Sequence, residues 1–198
     1  MGDQPKGKRE CENEVSLPSK QRASKLIHRS AFTSVDPAPS LPETASQTSI
    51  SDLQKILLDT NLPLFTRYRA MFALRDLASP PTLPTSEPAV LALASGLHDP
   101  SALFRHEIAF VFGQLSHPAS IPSLVETLGN SREDPMVRHE AAEALGSLGG
   151  EDGVEDILRG FVNDKVDVVR DSVIVALDMA EFERSGQSDY AVLTTICV

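Results

Sequence analysis

The chain has no tryptophan, only 5% aromatic residues and just two cysteines among its 198 positions. A β-sandwich or barrel draws on aromatic and β-branched strand formers, so this scarcity, with 14 prolines, argues against an all-β fold. Cys11 and Cys197 sit near opposite ends without the spacing of a metal knuckle or a redox pair, which leaves no basis for a disulfide framework. No apolar run approaches the roughly 20 residues that span a bilayer, and no apolar stretch follows the first charges, so neither a membrane span nor a secretory leader is expected. A basic excess is missing as well. The formal net charge of −10 removes nucleic acid as the default partner, because phosphate binding needs a positive field.

What is present is a hydrophobic fraction of 41%, rich in Leu and Ala, which suits a helical core in a single domain with a tail. The charge is uneven. Residues 1–30 hold seven Lys/Arg against four acids and carry +3, which leaves −13 for the remainder. An acidic body of this kind fits a solvated surface, a metal ion or a cationic ligand.

Residues 1–49 are polar and rich in Ser, Thr and Pro, without a sustained apolar period, and read as a disordered tail or linker. Residues 50–184 read as the folded domain and 185–198 as a C-terminal tail. Ser51 with Gln54 three residues later has the form of a capping box ahead of Leu53, Ile56 and Leu57. Beyond it, four segments superimpose without gaps: FTRYRAMFALRDL (65–77), LFRHEIAFVFGQL (103–115), MVRHEAAEALGSL (136–148) and VVRDSVIVALDMA (168–180). Their arginines, Arg67, Arg105, Arg138 and Arg170, are 38, 33 and 32 residues apart. A shorter apolar stretch precedes each, and the Pro-rich SPPTLPTSEP (79–88) lengthens the first step as a loop. A two-helix unit of this length, with an arginine opening its second helix, resembles the HEAT repeat. One such hairpin cannot bury its own apolar face, so the expected fold is all-α, a solenoid of about four stacked hairpins.

The position after the arginine carries the chemistry. Repeats two and three read His106-Glu107 and His139-Glu140, whereas repeat one has Tyr68-Arg69 and repeat four Asp171-Ser172. Stacking brings equivalent positions of neighbouring repeats side by side, about 10 Å apart at the backbone. A glycine follows each histidine by seven residues, Gly113 and Gly146, on the same helical face. Glycine costs about 1 kcal/mol inside a helix, so its recurrence calls for close helix packing or for clearance beside a site. Imidazole and carboxylate together suit Fe, Mn or Zn, and the two pairs offer four ligands. The second histidine of H-E-x-x-H is absent, as are E-x-x-H, a Gly-rich phosphate loop and a G-x-S-x-G elbow. His98 and His117 fall in turn sequences and His28 in the tail, and none is assigned to a site.

These segments, with SVDPAP at 34–39, resemble the C-terminal half of the deoxyhypusine hydroxylases. The likeness runs from about residue 34 to 184, and His-Glu at these repeat positions is that family's signature. It implies an iron-dependent monooxygenase that uses O2 to hydroxylate the deoxyhypusine side chain of a translation factor precursor. It also implies two Fe(2+) ions per complete site. His106, Glu107, His139 and Glu140 would be the iron-site residues, with Glu107 and Glu140 the catalytic carboxylates. The implied compartment is the cytoplasm, with the nucleus as a second. The family has four His-Glu pairs, two in each half, and residues 1–33 do not resemble its N-terminal half. A homodimer, or pairing with a full-length relative, is therefore expected to complete the set. The alternative reading is a non-catalytic HEAT-repeat scaffold that binds a protein along its concave face.

Overall fold

In the computed structural model the described residues are Ala38, Pro39 and 49–185, apart from the side chain of Glu183. The tails expected over 1–49 and 185–198 otherwise lie outside the described residues. Among them run eight α-helices in order: α1 (Ile50–Leu58), α2 (Leu64–Ala78), α3 (Ser86–Ala94), α4 (Ala102–Leu115), α5 (Ile121–Gly129), α6 (Pro135–Gly146), α7 (Val154–Arg159) and α8 (Asp167–Ser185). Two short 3-10 turns, Ser95–His98 and Pro118–Ser120, extend α3 and lead into α5. Among the described residues there is no strand, and no helix is long and apolar enough to cross a membrane.

The helices pair as four hairpins. The four arginine-bearing segments lie in the second helices α2, α4, α6 and α8, of which α6 packs against both α4 and α8. The first helices α1, α3, α5 and α7 form the other layer. Phe72, Phe104, Phe112, Leu53, Leu57, Ile108, Leu124, Leu128 and Leu145 are fully buried between the layers. These are the apolar faces that a single hairpin would leave in water.

Helix starts follow local chemistry. Ser49, rather than Ser51, caps α1. Its Oγ accepts from Asp52 N at 3.1 Å and donates to the Asp52 carboxylate at 2.8 Å, so the box is Ser-x-x-Asp and begins two residues before the expected one. Gln54 instead crosses to Ser95 Oγ at 3.1 Å. Ser101 caps α4, and Asp134 caps α6 ahead of Pro135 at the first helical position. The Pro-rich insert is loop as far as Thr85, but its last three residues, Ser86, Glu87 and Pro88, form the first turn of α3.

The repeated arginines join one repeat to the next. Arg67 donates to Leu57 O at 2.8 Å, at the end of its own first helix, and pairs with Asp99 in the turn of repeat two. Arg105 donates to Asp99 O at 2.6 Å and reaches Glu133 in repeat three with two nitrogens, at 2.9 and 2.5 Å. Arg138 donates to Leu128 O at 2.9 Å and forks onto Asp164 in repeat four at 3.2 and 2.5 Å. The planar guanidinium suits this arrangement, since one edge closes a helix C-terminus while the other meets a carboxylate bidentately.

The two recurring glycines face the next helix at different distances. A Cβ on Gly113 would stand 3.4 Å from Ala144 Cα, and one on Gly146 only 2.8 Å from Ala176 Cα. The small residues let α4, α6 and α8 approach closely, which fixes the gap that the facing His and Glu side chains must span.

Candidate metal centre

His106 on α4 and His139 and Glu140 on α6 meet at one place. One nitrogen of each imidazole and one carboxylate oxygen lie within 4.8 Å of one another. His106 Nε2 is 3.2 Å and His139 Nε2 3.9 Å from the same atom, Glu140 Oε2, and the rings stand 5.5 Å apart at 41°. Glu140 is buried, while both histidines are half-buried, so the group opens towards solvent on one side.

The pairing runs between repeats rather than within each dipeptide. The residue after the arginine faces the second residue after the arginine in the following repeat: His106 meets Glu140, and His139 meets Ser172, whose Oγ lies 3.4 Å from Nδ1. Tyr68 and Glu107 hold the same relation one repeat earlier, and the Glu107 charge acts on the buried Tyr68 phenol. Glu107 is therefore not one of the three gathered residues, although its charge also acts on His106. Adjacent residues on a helix diverge by about 100°, so one member of each dipeptide is turned towards the next repeat and the other towards the previous one.

The electrostatics mark the same spot. The hydrogen bond with Glu140 raises the His106 pKa above the ordinary histidine value, burial opposes this, and the charges of Glu140, Glu107 and Glu143 add to the rise. Burial, then the Glu107 charge, pushes the Tyr68 hydroxyl up. Tyr68 packs edge-on against Phe104 at 5.5 Å. His106 Nδ1 is buried without a hydrogen-bond partner.

Two imidazoles and a carboxylate form a donor set for a first-row divalent metal. Ligands at about 2.1 Å from such an ion stand roughly 3 to 4 Å apart, which the 3.2 and 3.9 Å separations match. The convergence of both imidazole Nε2 atoms on one carboxylate oxygen fits a cation at this point. Outside the group, His117 Nδ1 accepts from Ala119 N at 3.1 Å as a turn cap, and His98 is exposed. The residues that sequence reasoning passed over are Glu143, 3.4 Å from His139 Nδ1, and Ser172. Glu143 was open to detection as the acid one turn beyond His139, whereas Ser172 carried no signal.

Comparison with known proteins gives this geometry a lineage. The HEAT repeats family matches residues 90–178. A deoxyhypusine hydroxylase of Aspergillus oryzae is 69% identical over 175 residues, covering 88% of this chain and 52% of that protein. One of Neurospora crassa is 66% identical over 178 residues, 90% and 55% of the respective sequences. Its relatives are deoxyhypusine hydroxylases. The structure of human deoxyhypusine hydroxylase in complex with glycerol is 47% identical and superposes with a TM-score of 0.65, over 75% of this chain and 47% of that one. The protein thus spans about half the length of the deoxyhypusine hydroxylases that it matches.

Proposed function

We propose that this protein forms part of an iron-dependent deoxyhypusine hydroxylase, with His106, His139 and Glu140 holding one iron. The observation that carries the reading is the convergence of these three side chains within 4.8 Å. The names of its relatives supply the reaction class. Bound iron would supply the activation of O2. In the balanced reaction one oxygen atom enters a C–H bond of the substrate and the other leaves as water, with two electrons and two protons drawn from an external reductant. The substrate is the deoxyhypusine side chain of a translation factor precursor, and the activity belongs to the cytoplasm, with the nucleus as a second compartment. A tagged protein confined to another organelle would contradict that assignment.

The protein's own residues would divide the work. Glu140 holds His106 protonated to higher pH than a free histidine, so a metal entering the group displaces that proton and binds more tightly as pH rises. The Glu107 charge, beside the ligand group, provides an attraction for a cationic substrate amine.

Among the described residues each copy gathers one three-residue set, and we take the second set of a two-iron site to come from another copy or from a longer relative. Anaerobic titration with Fe(II), followed by O2 and the deoxyhypusine-containing precursor, tests both parts. The expected result is saturable binding at one iron per polypeptide that is lost in His106→Ala and His139→Ala, with hydroxylated product where copies pair. A protein that holds no iron would support the scaffold reading. A monomer that holds two irons tightly would refute the pairing.

A further inference from the structure

The two histidines of the metal group are held differently. His139 Nδ1 has two neighbours, Glu143 Oε1 and Ser172 Oγ, each at 3.4 Å. Ser172 is buried, and its hydroxyl donates to Glu143 Oε1 at 3.1 Å. The hydroxyl proton is thereby committed, and an ionised carboxylate only accepts. Both groups facing Nδ1 are acceptors, so in the neutral imidazole Nδ1 carries the proton and Nε2 the lone pair. Nε2 is the atom directed to Glu140.

His106 lacks this support. The residue one turn beyond it, equivalent to Glu143, is Phe110, and its Nδ1 has no partner. Ser172 stands where repeats two and three carry Glu107 and Glu140, so the end of the His/Glu series is also the start of the bracing.

We infer that Glu143 and Ser172 are positioning residues, which lock His139 in the Nδ1–H tautomer with Nε2 aimed at the metal. The metal half of this inference rests on the proposed function, whereas the tautomer half does not. A metal-bound histidine that donates its other N–H to a carboxylate is held in orientation and made more basic, and removing such a partner typically costs about 10–100-fold in affinity.

The test uses the 198-residue protein, free of metal and labelled with 15N in its histidines. Long-range imidazole correlations are expected to show neutral His139 as the Nδ1–H tautomer, and an Nε2–H tautomer would overturn the inference. In the Glu143→Ala, Ser172→Ala double variant His139 should revert to the Nε2–H form that free histidine prefers. Co(II) titration then reads the metal half. Glu143→Ala should weaken binding about 10–100-fold, while Glu143→Gln, which keeps an acceptor oxygen, restores most of it. An affinity for Glu143→Ala within about twofold of the parent, in protein with an unchanged circular dichroism spectrum, would also overturn it, since a brace of this kind is worth at least about tenfold. A parent protein that binds no Co(II) would instead defeat the metal reading and leave the tautomer to judge this one.

Discussion

At the scale of single residues, the His-Glu dipeptides were legible because they recur 33 residues apart in an otherwise Leu/Ala-rich pattern. Which atoms would meet was not. A repeat spacing tells that two positions are neighbours, but it does not tell that His106 reaches forward to Glu140 while Glu107 turns back towards Tyr68. Glu143 and Ser172 were less legible still, since they depart from the repeat pattern rather than follow it. The arginines show the same division: their recurrence was plain, their partners were not. Arg138 is 4% exposed and serves Leu128 O and the Asp164 carboxylate, and among the described residues no other side chain donates to either, since Arg170 reaches only the Asp164 carbonyl. Arg138→Met should therefore cost about 3–5 kcal/mol, because a carboxylate and a helix-end carbonyl lose their partner together. Arg170 is more open and pairs with the exposed Asp167, so Arg170→Ala should cost at most about 1 kcal/mol. Urea midpoints of the two variants against the parent measure the contrast, and equal losses would show that the arginines do not differ as their surroundings require.

At the scale of elements, the second helices were readable almost in full. The segments 65–77, 103–115 and 168–180 fall inside α2, α4 and α8, while 136–148 runs two residues past the end of α6 at Gly146. The starts were harder to read, because three candidate capping residues lie within four positions at Ser49, Ser51 and Asp52, and the acid nearest an oxygen decides between them. The glycines could be read as packing or clearance, and helix separation decides for packing at Gly146, whereas Gly113 leaves room for a methyl group. The two differ in how much room they leave. At Gly146 a methyl group would meet Ala176 Cα at 2.8 Å and Ala176 O at 3.0 Å, both backbone atoms that cannot move without shifting α8. Gly146→Ala should destabilise by about 1–3 kcal/mol through overpacking. At Gly113 the nearest atom is 3.4 Å away, an ordinary contact, and alanine there should recover up to about 1 kcal/mol of helix propensity. Thermal melts are expected to move in opposite directions for the two variants. The Gly146→Ala protein should also weaken Co(II) binding, because the same α6–α8 gap sets the His139–Ser172 separation.

At the scale of the whole molecule, the arrangement of charge matters more than its total. The net −10 was first consistent with mere solubility, yet Asp99, Glu133 and Asp164 are each consumed in tying one repeat to the next. Stability of a solenoid is a sum of hairpin and interface contributions, so an acid at each joint makes cohesion depend on ionisation. Asp164 gives the sign. The hydrogen bonds from Arg138 hold its carboxyl below the usual value, with burial opposing and the Val166 N–H and the charges of Arg138 and Arg170 adding to the lowering. A carboxyl whose pKa is depressed on folding binds its proton more readily in the unfolded state. Its stabilisation is therefore complete above the ordinary aspartate value of 3.8 and is lost as pH falls through the lower folded value. The parent protein should melt slightly higher as the pH falls from about 7 to about 5, because the raised His106 pKa favours the folded state there, and then progressively lower as the pH drops below about 4. Asp164→Asn keeps the size and one acceptor but cannot titrate. It should be less stable at neutral pH by about 1.5–3 kcal/mol, the usual worth of a hydrogen bond to a charged group, or roughly 3–12 °C at this length. Its melting curve should then approach that of the parent as both are taken to about pH 3. Parallel curves across the whole range would mean that the arginine-to-acid joint between repeats three and four contributes geometry without stability.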